Sequence, residues 1–154
     1  MILFDCHAHV YETVTPVDGA RYVPATAAPL ADWLGHQRAH GLRGGVIVQV
    51  SFLGTDNSEM CAALARLDPR CFAGVGVVAL DIGDDALDQL AQAGMRGVRW
   101  NLVRGAEMPD LRAQRTRAFF QSGGDGLSDQ IRVLLCPLGH AVPVLCQPWT
   151  CRGL

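Results

Sequence analysis

Four times along the chain a short apolar or β-branched run is followed by a segment with helical spacing, and that alternation most limits the fold. Residues Ile2 to Cys6 predict a first strand. Leu30, Trp33 and Leu34 predict a helix over 29–40, stopped by Gly41. Gly45 to Val50 is nearly continuous and β-branched, as in a strand buried on both faces. Asp56, Asn57 or Ser58 can cap the next helix, which carries Met60, Leu64 and Leu67 and ends at Asp68-Pro69. A third strand over Phe72 to Leu80 precedes a helix over 84–93 that stops at Gly94. A fourth, Arg96 to Leu102, precedes a helix over 109–121. This is the βα pattern of a parallel sheet, either open and doubly wound or closed as a (β/α) barrel. Both place their chemistry at the C-terminal ends of the strands.

Polar residues collect at those ends: His7 and His9 after strand one, Ser51 and Thr55 after strand two, Arg99 and Asn101 in strand four, and Arg104 beyond it. Strand alternation puts His7 and His9 on one face, so the His-x-His pair is half of a zinc-type site. The competing reading is two solvated polar residues at a fraying strand end. Gly74-Val75-Gly76-Val77-Val78-Ala79 has the letters of a dinucleotide-binding fingerprint. It lies inside a predicted strand with no helix starting at it, so the phosphate-binding mechanism has no turn to use.

With 154 residues, 49% of them hydrophobic and 18% charged, the chain suits one globular domain with a sizeable core. A formal net charge of −2 gives no reason to expect nucleic acid or an anionic membrane as a partner. No stretch has the length of a membrane span, and the first residues lack a signal peptide's basic region, so a cytosolic protein is expected. Every basic residue is Arg, which points to a GC-rich coding sequence before it points to function. Cys6, Cys61 and Cys71 lack paired spacing and read as small buried hydrophobes in a reducing compartment.

The segment Phe4-Asp5-Cys6-His7-Ala8-His9-Val10 resembles the D-x-H-x-H opening of the amidohydrolase superfamily of TIM-barrel hydrolases. Arg21-Tyr22, Gln49-Val50-Ser51-Phe52-Leu53-Gly54-Thr55-Asp56-Asn57 and Gly94-Met95-Arg96-Gly97-Val98-Arg99-Trp100-Asn101 are similar to its amidohydrolase-related branch, and within it to the 2-pyrone-4,6-dicarboxylate lactonase group. The resemblance implies that residues 1–121 form the N-terminal half of a (β/α)8 barrel, about four βα units. It implies a hydrolase acting on a carboxylate-bearing lactone or cyclic amide. His7 and His9 would be the metal ligands and catalytic polarising groups, with a divalent metal, zinc first, or none. Tyr22, Ser51 and Thr55 match substrate-binding positions. Arg99 matches an arginine that grips a carboxylate, a role its planar fork suits, and Asn101 shares its strand face. Without the resemblance, Ser51 and Thr55 read as satisfying loop backbone, and for Arg99 an ion pair with Asp5 or another carboxylate weighs equally with a grip on substrate.

The superfamily also uses a later-strand histidine and a strand-eight aspartate as general base, and a complete barrel runs to about 250 residues. Ile131 to Cys136 can be a fifth strand, with Cys136 where a histidine is expected and His140 four residues on. From residue 122 the composition changes, and Cys136, His140, Cys146 and Cys151 match no common zinc module. Residues 122–154 are therefore expected to be an atypical tail, out of frame or disordered. The expected partners are a small-molecule carboxylate and, through open sheet edges, other copies of the chain. The alternative to an enzyme is a non-catalytic half-barrel without independent activity.

Overall fold

The computed structural model describes residues 4–79, 81–101 and 132–136. The helix expected over 109–121, Arg104 and most of the tail lie outside the described residues. Five strands, β1 (Asp5–Ala8), β2 (Gly45–Val48), β3 (Phe72–Gly76), β4 (Met95–Asn101) and β5 (Arg132–Cys136), form one sheet in chain order. Every neighbouring pair is parallel. Helices α1 (Leu30–Ala39), α2 (Ser58–Leu64) and α3 (Asp84–Gln92) connect the first four strands. The α/β architecture is the one read from the alternation. Strand β5 falls within 122–154 and pairs Asn101 with Cys136, so this part of the segment read as a tail extends the sheet.

Local chemistry accounts for the helix ends. After α1, Gly41 takes φ +66°, where a Cβ would be strained; its N–H donates to Arg38 O at 3.2 Å and that of Leu42 to Gln37 O at 2.8 Å. These two bonds satisfy carbonyls that the helix leaves open. After α3, Gly94 takes φ +100° and its N–H donates to Ala91 O at 3.1 Å. Pro29 cannot cap α1 through a side chain, so Glu12 Oε1 accepts the Leu30 N–H at 3.2 Å instead. Of the three candidates for capping α2, Asp56 is the one that bonds a helix N–H, that of Ser58 at 3.0 Å. The same bond, with that to the Ser58 side chain, holds the Asp56 carboxyl below its usual range.

The core lies between sheet and helices. Ile47, Met60, Met95 and Val98 are fully buried among Leu30, Trp33, Leu64 and Val78. Gly74 and Gly76 sit inside β3 under this layer. A Cβ at Gly74 would come within 2.7 Å of Leu64 Cδ1, and one at Gly76 would run into Met95 Sδ. They are packing glycines, and the fingerprint reading is set aside. Three cysteines differ from expectation: Cys6 is exposed and Cys61 and Cys71 are half-buried.

The β1–β2 seam depends on Gly45, which pairs with Asp5; a Cβ there would lie 2.6 Å from Trp33 Cζ2 and 2.9 Å from Asp5 O. Because a backbone oxygen cannot yield as a side chain does, Gly45→Ala is expected to cost about 1–3 kcal/mol. A lowered urea midpoint with unchanged slope checks this; an unchanged midpoint contradicts it.

Candidate functional site

Strand β1 runs from Asp5 to Ala8, so His7 lies inside the strand and not after it, and His9 follows it on the same face. Asp5 fixes the approach. Its Oδ1 accepts the His7 N–H at 3.1 Å and its Oδ2 accepts the Trp33 indole N–H at 2.8 Å. The two imidazoles meet edge to face with centroids 5.0 Å apart. His9 Nδ1 lies 2.7 Å from Val48 O at the end of β2. A carbonyl can only accept, so Nδ1 carries the proton and, in the neutral ring, Nε2 carries the lone pair.

Arg99, in β4, reaches the same end of the sheet and donates from Nη2 to Gln49 O at 2.5 Å. Consecutive carbonyls at the end of β2 thus hold His9 from β1 and Arg99 from β4. Burial of their sheltered sides pushes both imidazoles below their usual range. The Arg99 charge adds to this at both; Asp5 opposes it at His7, and the Val48 bond opposes it at His9. Both rings are therefore neutral at pH 7, beside a permanent cation.

A two-loop rim surrounds this cluster. Val50, Phe52 and Leu53 bury themselves against Tyr11, Val14 and Ala20, and Phe52 meets Tyr11 edge to face at 5.0 Å. Glu59 of α2 accepts the Glu12 N–H at 2.8 Å and the Thr13 hydroxyl, tying the β1–α1 loop to the next unit. Ser51 and Thr55 are exposed on the β2–α2 loop. Tyr22 is on the β1–α1 loop, 68% exposed. Asn101 ends β4 beside Cys136. His7 and His9 are in ring contact, and Arg99 is close enough for its charge to act on both. Gln49 and Asn57, which organise the rim, bound the segment similar to the lactonase group but were given no site role, since their partners are backbone groups.

Metal holding was tested on the donor set. His7 and His9 supply two imidazoles, and among the described residues no group of three His, Cys, Asp or Glu side chains is placed to hold an ion. Two ligands are half a tetrahedral shell, so these residues do not by themselves fit a resident zinc. Zinc added to the purified chain is expected to leave on dialysis against chelator, with His7→Ala abolishing what uptake there is. Stoichiometric zinc surviving dialysis contradicts this.

The depressed histidines also set a pH dependence. Below about pH 6.5 the unfolded chain takes up protons that the folded state refuses, so stability is full above that value and falls as the solution is acidified. Urea midpoints at pH 7.5 and 5.5 check the sign. His7→Gln combined with His9→Gln should flatten the difference.

The parallel α/β sheet with its helices corresponds to about half of a (β/α)-barrel-type chain. The chain is similar to proteins described as 2-pyrone-4,6-dicarboxylate hydrolases. The 2-pyrone-4,6-dicarboxylate hydrolase of Comamonas testosteroni is 34% identical over 108 residues, 65% of this chain and 33% of that one. A solved structure from Acinetobacter baumannii, described as a probable 2-pyrone-4,6-dicarboxylic acid hydrolase with citric acid bound, matches with TM-score 0.73 and 30% identity. The match covers 86% of this chain and 49% of that chain. A Pseudomonas putida structure given the same provisional description matches with TM-score 0.65 and 36% identity, over 87% and 48%. An Agrobacterium tumefaciens structure at 17% identity and TM-score 0.55 shares the fold. No family model matches the chain. The chain spans between a third and a half of the length of these relatives.

Proposed function

We propose that this chain carries the substrate-holding part of a hydrolase site for a carboxylate-bearing lactone. The observation that carries the reading is the placement of the Arg99 guanidinium beside the neutral His7–His9 pair, at the ends of β1, β2 and β4. One of the five guanidinium N–H donors is committed to Gln49 O, and the planar fork is the group best matched to a carboxylate. Citric acid in the Acinetobacter baumannii relative supports a polycarboxylate ligand, and the Comamonas testosteroni relative's name supports a lactone dicarboxylate.

In this reading Arg99 clamps a carboxylate and fixes the ring over the histidines. His7 donates a hydrogen bond to the lactone carbonyl. His9, with its Nδ1 proton given to Val48, offers the Nε2 lone pair to the incoming water. Water adds at the carbonyl carbon and gives a proton to His9 Nε2. The acyl C–O bond of the ring then breaks, and the departing ring oxygen takes that proton, which leaves the ring-opened acid and a neutral His9. Ser51, Thr55, Tyr22 and Asn101 are the further substrate donors. Any metal would need ligands besides His7 and His9. Cys6 and Cys61, as free thiols, suit a reducing cytosolic setting. The exposed β1 edge can pair with another copy. The non-catalytic alternative is favoured by one observation, that both oxygens of Asp5, the acid nearest the pair in sequence, are already acceptors.

Titration calorimetry tests the proposal. The chain should bind 2-pyrone-4,6-dicarboxylate and not unsubstituted 2-pyrone. Equal heats from both, or none from the dicarboxylate, overturn it.

A further inference from the structure

We propose that Gln49 is a positioning residue that couples the orientation of Arg99 to the conformation of the β2–α2 loop, with Asn57 anchoring the far end of that loop. This deepens the lactone-hydrolase reading and rests on it for its consequence in binding, though the coupling itself is a property of the fold.

Gln49 is 2% exposed and sits one residue beyond β2. It is fixed from three directions. Its N–H donates to Val75 O of β3 at 2.8 Å, its carbonyl accepts Arg99 Nη2 from β4, and its side-chain Nε2 donates to Asp56 O in the loop. Asn57, 6% exposed, closes the other end. Its Nδ2 donates to Thr55 O at 3.0 Å and to Val77 O at 2.8 Å, while Oδ1 accepts the Val77 N–H at 3.1 Å. One amide thereby pairs with both backbone groups of Val77, extending the end of β3 as a ladder partner would.

Ser51 and Thr55 lie on the segment between these two clasps. A buried primary amide is a costly way to fill space, and an aliphatic side chain would fill it more cheaply. What the amide adds is direction. The Gln49 side chain ties the Asp56 carbonyl, its backbone carbonyl aims the Arg99 fork, and rotating one disturbs the other. Loop stability alone would require the side-chain bond and would be indifferent to where Arg99 points.

The test compares the wild-type chain with Gln49→Met, which keeps length and volume and removes the donor to Asp56. Gln49→Glu is the second variant should the first not fold, and Leu67→Ala is a control that loosens the helix layer away from the site. The probe is citrate, read by calorimetry, together with the 15N–1H resonances of the Arg99 guanidinium. Gln49→Met should weaken citrate binding about tenfold, the scale of one misaligned charge-assisted pair, and merge Arg99 Nη signals that are separate in the wild type. Leu67→Ala, matched for lost thermal stability, should leave both within twofold. Unchanged citrate affinity and separate Arg99 signals in the Gln49 variants overturn the positioning role. If the wild type binds neither citrate nor 2-pyrone-4,6-dicarboxylate, the lactone-hydrolase reading fails, and the Arg99 resonances alone decide the coupling.

Discussion

Arg99→Ala is expected to weaken binding of 2-pyrone-4,6-dicarboxylate by about a hundredfold, the usual scale for truncating one partner of a sheltered charge pair. Arg99→Lys keeps the charge and loses the fork, so it should fall between wild type and alanine. The ordering matters more than either value. A point charge on a flexible stem would satisfy Coulomb attraction; a planar group pinned at Nη2 by Gln49 O presents its other donors in a set direction. Equal affinity for lysine and arginine would show that charge alone operates. Unchanged affinity for alanine would return Arg99 to a structural role. Arg99→Ala should also let both histidines titrate closer to pH 6.5, because the cation that disfavours their charged forms is gone.

The second large effect concerns turnover. The purified 154-residue chain is expected to hydrolyse 2-pyrone-4,6-dicarboxylate about 10²–10⁴-fold more slowly than the Acinetobacter baumannii relative, the usual contribution of a positioned proton-transfer group. His9 Nε2 can accept a proton, yet burial and Arg99 both oppose the imidazolium that would result. Asp5 is turned to Trp33 and the His7 backbone. Among the described residues the cluster gains no third acidic or imidazole group. Side-by-side initial rates check this, and comparable rates would show that the chain holds an effective base of its own.

Much of the architecture was legible because its signals are local. Gly41 and Gly94 could be read as helix stops because a left-handed backbone position strongly favours glycine, and both adopt it. Strand ends were less legible. The apolar runs through Gln49-Val50 and Val77-Val78-Ala79 suggested longer strands, whereas β2 ends at Val48 and β3 at Gly76. Val50 and Val78 are nonetheless buried, at 6% and 3% exposure. Hydropathy reports burial, and the sheet's ladder is a separate matter. In the site, the His-x-His spacing placed both rings on one face, as strand geometry requires. The choice of Asn57 as a cap could not be separated from its clasp on Val77, since the two differ by a contact twenty residues away in sequence. Gln49 was hidden for the same reason.

The central claim is that β1, β2 and β4 build one carboxylate-binding centre at their C-terminal ends. Its most direct test is a 1H–15N correlation titration of the labelled chain with 2-pyrone-4,6-dicarboxylate. Saturable shifts confined to His7, His9, Val48 to Ser51 and Arg99 are expected, and they should disappear in Arg99→Ala. Shifts centred on the opposite end of the sheet, around Arg43, Gly44 and Arg70, or shifts that persist in Arg99→Ala, would contradict it.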